Sequence, residues 1–224
     1  MFRGFLQIGR TLESVLGDWL MGVNTRSSLY FDSARGLHRD AYGFDTVAHL
    51  AIIKTIKLAQ PTSEDIVFVL GCGKGRTLCH FMRFPVRKVI GIEIDESLCE
   101  IARNNALRLR GAIAPAEILN VDAAEANVED GTVFFMFNPF GAQTLRHVLR
   151  NIHIQSYRRA VRIIYMGAWH ASVFTEFPEF EVLYDYRRVR GQRVIIYRST
   201  TREEEREDVG TPQRIRCEGT SVAR

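Results

Sequence analysis

Apolar and polar residues alternate along this chain in two rhythms. Over residues 1–23, Phe2, Phe5, Leu6, Ile8, Leu12, Val15, Leu16, Trp19, Leu20 and Val23 recur at helical spacing, which predicts a helix laid as a cap on a core. Its polar face mixes Arg3 and Arg10 with Glu13 and Asp18, unlike the basic face of a lipid-surface helix. A second helical run, "TVAHLAIIKTIKL", covers residues 46–58. Tyr42, Asp45 and Thr46 stand at its start, where Asp45 or Thr46 suits a helix cap.

From about residue 64 short apolar runs alternate with helical patterns. "IVFVL" (66–70) reads as a buried strand, followed by a glycine-rich loop and a helix through "RTLCHFMRF" (76–84). "KVIGIEI" (88–94) is a second strand, and residues 96–110 form an amphipathic helix with Asp95 as N-cap and Gly111 as its stop. "AEILNV" (116–121) and "TVFFMF" (132–137) are strands, residues 142–154 a helix, and "AVRIIYM" (160–166) a fifth strand. Such alternation builds a parallel sheet with helices on both faces. The runs at 180–188 and 192–199, joined by a turn at Arg190–Gly191, add an antiparallel pair. The predicted fold is therefore α/β: a doubly wound, seven-stranded, mostly parallel sheet with an antiparallel C-terminal hairpin and an N-terminal helical cap. The expected divisions are a cap over 1–60, a core over 61–199 and a charged, disordered tail over 200–224, where "REEERED" precedes Gly, Pro and Ser.

Bulk composition changes this picture little. At 224 residues, 46% of them hydrophobic, the chain can bury a substantial core, and it has no apolar run of membrane-spanning length. The net charge of +4 permits an anionic partner without arguing for one. Cys72, Cys79, Cys99 and Cys217 show neither zinc spacing nor a disulfide framework, and a reducing, cytoplasmic setting is the default. The histidines (His38, His49, His80, His147, His153, His170) form no metal-like pattern, and no metal is expected.

Candidate chemistry lies at the strand ends. "VFVLGCGKGR" (67–76) runs from a strand into Gly71, Gly73 and Gly75. Glycine at every second position reads as room for something outside the core rather than as packing. A strand, glycine turn and helix bring backbone N–H groups to a ligand beyond the carboxyl ends of the strands. Glu93 ends the second strand, where a carboxylate can accept both hydroxyls of a ribose. Asp122 ends the third, within reach of an adenine amino group, and Asn138-Pro139-Phe140 ends the fourth. Singly, each has a plain alternative: a tight turn, a solvated acid, an Asn-Pro turn. Four at successive strand ends point together to one site. The third glycine of a dinucleotide fingerprint is here Arg76, which argues against a nicotinamide oxidoreductase, and Lys74 lacks the setting of a P-loop lysine.

With "VLGCGKG", "VIGIEID", "NVDA" and "FNPFG" in this order, the chain over roughly 64–198 resembles the class I S-adenosylmethionine-dependent methyltransferases. "GKGR", "FNPFG" and the upstream "YGFDT" are similar to a little-characterised bacterial group of this fold. The resemblance implies S-adenosylmethionine as cofactor, bound by Gly71, Cys72, Gly73, Gly75, Glu93, Asp122 and Ala123, with Cys72 a small filler rather than a nucleophile. It also implies Asn138, Pro139 and Phe140 at the acceptor. "NPF" is similar to the Asn-Pro-Pro-Tyr box of methyltransferases acting on amino groups, one proline shorter. Asn138 and the Pro139 carbonyl would aim an amine lone pair, and Phe140 would stack on a planar substrate, border the cofactor or pack as a lid on Phe81 or Phe84. The amine could belong to a protein, a metabolite or a nucleic-acid base. The departure is Val69: the family usually carries an acid there, which orders the glycine loop. Its replacement means compensation by another group, weaker cofactor binding, or a decayed scaffold protein of the same fold.

Overall fold

The computed structural model describes residues 2–26, 47–187 and 192–199, with side chains from Thr11 onward. The helices are α1 (Phe2–Met21), α2 (His49–Ala59), α3 (Arg76–Phe81), α4 (Glu96–Arg108) and α5 (Ala142–Ser156). The strands are β1 (Ile66–Leu70), β2 (Lys88–Glu93), β3 (Ala116–Asn120), β4 (Val133–Phe137), β5 (Arg162–Gly167), β6 (Phe180–Arg187) and β7 (Arg193–Ser199). They form one seven-stranded sheet in the order β3-β2-β1-β4-β5-β7-β6. The first five strands pair in parallel, and β7 is antiparallel to both β5 and β6. The antiparallel strand is thus inserted beside the edge, and β6 at the edge runs with the parallel set. Tyr42, Asp45, Thr46, the Arg190–Gly191 turn and the tail from Thr200 lie outside the described residues.

Strand alternation divides the core in two. Val67, Val69, Val133, Phe135, Ile164 and Met166 face one layer with Ile52 and Ile56 of α2, Leu78 and Phe81 of α3, and Cys99 and Ala102 of α4. Phe68, Leu70, Phe134, Met136, Ile163 and Tyr165 face the opposite, lower layer, away from that upper one, with Leu145, Leu149 and Ile152 of α5. Burial on both faces is why these strands read as unbroken apolar runs. Beneath the sheet, Asp65 takes both 2.6 Å contacts from Arg162 Nη2 and the Thr132 hydroxyl at 2.7 Å. This ties together the amino ends of β1, β4 and β5 and leaves their carboxyl ends to the loops.

Three local expectations shift. Helix α3 stops at Phe81, ahead of Pro85, which disfavours helical backbone at its predecessor. Asp95 does cap α4, accepting from Ser97 N and Leu98 N, a contact worth about 1 kcal/mol. The helix ends at Arg108 with extended Leu109, and Gly111 (φ +74°) turns the chain after it rather than stopping it. The third shift is α1. It faces the core with Asp18, Met21 and the bare Gly17, which seats the His49 ring, while Leu12, Leu16, Trp19 and Leu20 are exposed. A polar network, not the apolar stripe, fixes its orientation.

Candidate functional site

The carboxyl ends of β1 and β4 are neighbours, Leu70 lying opposite Met136, at the point where the chain order reverses between β2 and β4. Such a switch point opens the crevice where α/β sheets bind ligands. The glycine loop follows β1. Gly71, Gly73 and Gly75 all have positive φ (65°, 54° and 83°), which only glycine adopts without strain. Two of them also answer to packing, against the sequence expectation. A Cβ on Gly71 would overlap Pro139, and one on Gly75 would come within 3.2 Å of the Ala102 Cβ on α4. What approaches Gly71 closely is therefore the Asn-Pro box itself.

Glu93 ends β2, 8% exposed. Its Oε2 accepts Gly73 N–H at 2.8 Å, and its Oε1 accepts Ile94 N–H at 2.9 Å and Asp95 N–H at 3.1 Å. Burial raises its carboxyl above the ordinary 4.5, opposed by those three donors. A carboxylate offers about four lone-pair sites, so three donors leave roughly one for a ligand. Asp122 is half-buried, with Oδ1 accepting Ala124 N–H at 2.9 Å, and Ala123 beside it packs on the lower core. Cys72 is buried, its sulfur lying where a Cβ on Gly91 would reach. Burial, then the Glu93 charge, push its thiol up, so it stays protonated as a packing group.

Asn138 has φ +39°, a left-handed conformation outside glycine, and is buried. Its amide lies against Gly167, where a Cβ would collide with it, and its Oδ1 accepts Trp169 N–H at 3.2 Å. Pro139 is half-buried. Phe140 is 7% exposed and packs in the lower core, on the α5 side of the sheet from Phe81, so it anchors the box from beneath. Among the described residues, Trp169 is an exposed aromatic near this end, and the sequence pattern did not mark it.

Val69 is buried in the upper core. The loop it would have helped order is held by other groups: Glu93 at Gly73, Ile92 carbonyl at Cys72 N–H (2.9 Å), and the Asn105 amide at the Lys74 carbonyl (2.9 Å). Lys74 and Arg76 of "GKGR" turn toward the cap. Lys74 Nζ donates to the Arg26 carbonyl at 3.0 Å. Arg76 donates to Thr25 Oγ1 at 2.6 Å, Ser14 Oγ at 2.7 Å and the Val47 carbonyl at 3.0 Å, and stands 3.5 Å from Asp18. Asp18 accepts both the Thr25 hydroxyl (2.6 Å) and its N–H (2.7 Å), with His49 at 3.1 Å and His80 behind it, 2.8 Å from His49 Nδ1. The signal for Arg76 was present in the sequence: a cation on the first turn of a helix, where the dipole disfavours it, needs a partner. Among the described residues no three His, Cys, Asp or Glu side chains are grouped to hold a metal, and no helix is long and apolar enough to cross a membrane.

Comparison with known proteins accords with this geometry. Residues 67–162 match the family described as "Methyltransferase domain". Over these residues the chain is similar to a methyltransferase domain, in keeping with its strand order and strand-end residues. A protein-lysine N-methyltransferase of Saccharolobus islandicus is 34% identical over 90 residues, which covers 38% of this chain and 55% of the relative. The chain thus matches about half the length of that curated relative. Among solved structures, an RNA methyltransferase from Salinibacter ruber with S-adenosyl-L-homocysteine superposes with a TM-score of 0.51 at 22% identity, covering 70% of this chain and 93% of that one. Magnesium protoporphyrin IX methyltransferase from Synechocystis PCC 6803, with bound S-adenosylmethionine, gives 0.52 at 13% identity, covering 76% and 93%. At these identities the likeness is one of fold. The residues of the methyltransferase domain fit its cofactor: a loop of left-handed glycines beside a buried carboxylate at the end of β2, and a further acid, Asp122, just beyond β3.

Proposed function

We propose that the chain binds S-adenosylmethionine in the crevice between the ends of β1 and β4 and transfers its methyl group to an amino nitrogen. The observation that carries this reading is the seating of Pro139 on Gly71, which brings the Asn-Pro box against the glycine loop. The match to a protein-lysine N-methyltransferase supports an amine as acceptor. The cytoplasm is the proposed setting, in keeping with three buried free thiols, Cys72, Cys79 and Cys99.

When bound, the cofactor supplies a methyl group already reactive toward in-line displacement, so the protein's work is alignment. Glu93 would accept a ribose hydroxyl at the acceptor site that its three backbone donors leave open. Asp122 accepts from the adenine amino group, and Gly71, Cys72, Gly73, Gly75 and Ala123 shape the remaining wall. The amide oxygen of Asn138, held by Trp169 N–H but with a second lone pair, and the Pro139 carbonyl accept the hydrogens of the amine and aim its lone pair. Phe140 fixes the box from the core side.

Val69 favours a second reading, a decayed scaffold protein that keeps the fold and the binding cleft. The two part on turnover: incubation with radiolabelled S-adenosylmethionine and amine-bearing acceptors labels the acceptor on the first reading. Cofactor binding without label in any acceptor supports the second.

A further inference from the structure

We propose that the amino end of the sheet carries a membrane-docking face, in which Trp19, Leu107 and Ile113 enter an anionic lipid surface and Arg83, Arg108 and Arg110 hold its phosphates. This face lies at the opposite end of the sheet from the candidate site.

These residues come from three separate stretches of sequence, and backbone ties bring them together. Arg83 lies between α3 and β2, Arg108 ends α4 with Arg110 just after it, and Ile113 leads into β3. The Met82 carbonyl accepts Ile113 N–H at 2.7 Å and Ala114 N–H at 2.9 Å, which holds the two turns side by side. Arg83 reaches over Gly111, where a Cβ would stand 3.5 Å from its Nε. On the other side, Arg110 N–H donates to the Met21 carbonyl at 2.9 Å and Arg110 Nη1 to the Trp19 carbonyl at 3.2 Å. These two bonds set the end of α1 against the end of α4.

Leu107 is 85% exposed, and Ile113 and Trp19 are each 67% exposed. Single exposed apolar side chains are ordinary, but three large ones set among arginines mark an interaction surface. All three arginines are exposed, and among the described residues none of them makes an ion pair. Glu117, near the start of β3, is taken by Lys88 at 2.7 Å. The apolar tips decide the partner. A nucleic acid or an acidic peptide would engage the arginines and leave Leu107 and Ile113 in water. An anionic bilayer uses both: the tips enter the boundary of the acyl region, and the guanidinium groups on their long stems meet the headgroup phosphates. The pattern of α1 alone hides this, because the charges beside Trp19 come from α4 and the turn after α3. Residues 27–46 do not root here. Arg26 before them is bonded to Lys74 and Val47 after them to Arg76, both at the carboxyl end of the sheet. With this face on lipid, the crevice between β1 and β4 points away from the bilayer, so docking sets where the protein works and leaves the cleft open.

The test sediments the full chain with vesicles of phosphatidylcholine alone or mixed in equal parts with phosphatidylserine. The expected result is binding to the mixed vesicles only, weakening as salt rises. Arg83→Gln with Arg108→Gln should lower the partition roughly twentyfold, at about fivefold per charge. Leu107→Ser with Ile113→Ser should lower it about tenfold. Unchanged circular dichroism and melting verify that each pair still folds. The chain has two tryptophans, so in a Trp169→Phe background Trp19 is the sole indole, and brominated lipid should quench its fluorescence. A folded wild type that leaves mixed vesicles unbound overturns the proposal. So does binding that survives the Leu107 and Ile113 changes with Trp19 unquenched. A single-stranded RNA oligomer bound through the same arginines in that case would mark the face as a polyanion site instead.

Discussion

The carboxylate of Glu93 accepts the backbone N–H of Gly73 across 2.8 Å, so the end of β2 holds the loop that follows β1. In a domain with Val69 in place of the usual loop-ordering acid, this contact and that of Asn105 give the loop its shape. The same carboxylate is the group that would bind ribose, so loop order and cofactor recognition depend on one residue. Glu93→Gln keeps the size but loses the charge and two acceptor sites, and is expected to weaken S-adenosylmethionine binding at least tenfold, about 1.4 kcal/mol, by calorimetry. Glu93→Ala should lose it altogether.

The protonation of Glu93 gives a pH dependence. Burial lifts its carboxyl above 4.5, so the proton returns at a higher pH than for an exposed glutamate. Cofactor affinity should therefore be flat near neutrality and fall as pH drops toward this raised value. Titrations across a pH series check this; affinity that holds until the protein unfolds would separate Glu93 from binding.

Arg76 and Asp18 are both buried, and each is the other's charged neighbour. Burial alone would raise the Asp18 carboxyl, but contacts from His49 and Thr25 with the Arg76 charge hold it below 3.8. Arg76→Met leaves that charge uncompensated and should cost about 3–5 kcal/mol in denaturant unfolding. Arg76→Lys should not restore the loss, because no ammonium can reach Thr25, Ser14 and Val47 together. Losing less than about 1 kcal/mol would mean the cap is held by its other contacts.

His80 is held neutral. Burial, then the neighbouring His49, lower it from 6.5 to about 3. The unfolded chain therefore binds a proton that the folded one refuses, and stability falls as pH drops through this window, by at most about 1.4 kcal/mol per unit. Urea unfolding between pH 7 and pH 4 should show this slope, and His80→Gln should flatten it.

Gly71→Ala places a methyl group on Pro139 and forces a non-glycine residue to φ +65°. The backbone term alone is about 1–2 kcal/mol. The variant should be less stable by thermal unfolding and should shift the Asn-Pro box. Wild-type turnover in this variant would show that the contact does not position the acceptor.

The sheet and its strand-end residues were legible because buried parallel strands write themselves as apolar runs and loop chemistry follows them directly. What sequence could not supply is which loop meets which. Gly71 reads as open space until the order of β1 and β4 brings Pro139 to it. Trp169 reads as one more strand-end residue until β5 sets it beside Asn138. The outward face of α1 misled for a related reason. Periodicity marks Leu12, Leu16 and Trp19 as the natural inner stripe, yet the partners of Asp18 come from residues 25, 49 and 76, and satisfying that charge fixes the helix the other way round. Arg76 was visible as a broken fingerprint and as a cation at a helix start, but its partners Ser14, Asp18 and Thr25 were not.

The central claim is that this methyltransferase domain binds its cofactor despite Val69. Calorimetric titration of the wild-type protein with S-adenosylmethionine, beside Glu93→Ala, tests it most directly. The account predicts micromolar binding, about −8 kcal/mol, that is absent in the variant. A folded wild-type protein that binds neither S-adenosylmethionine nor S-adenosylhomocysteine would contradict it.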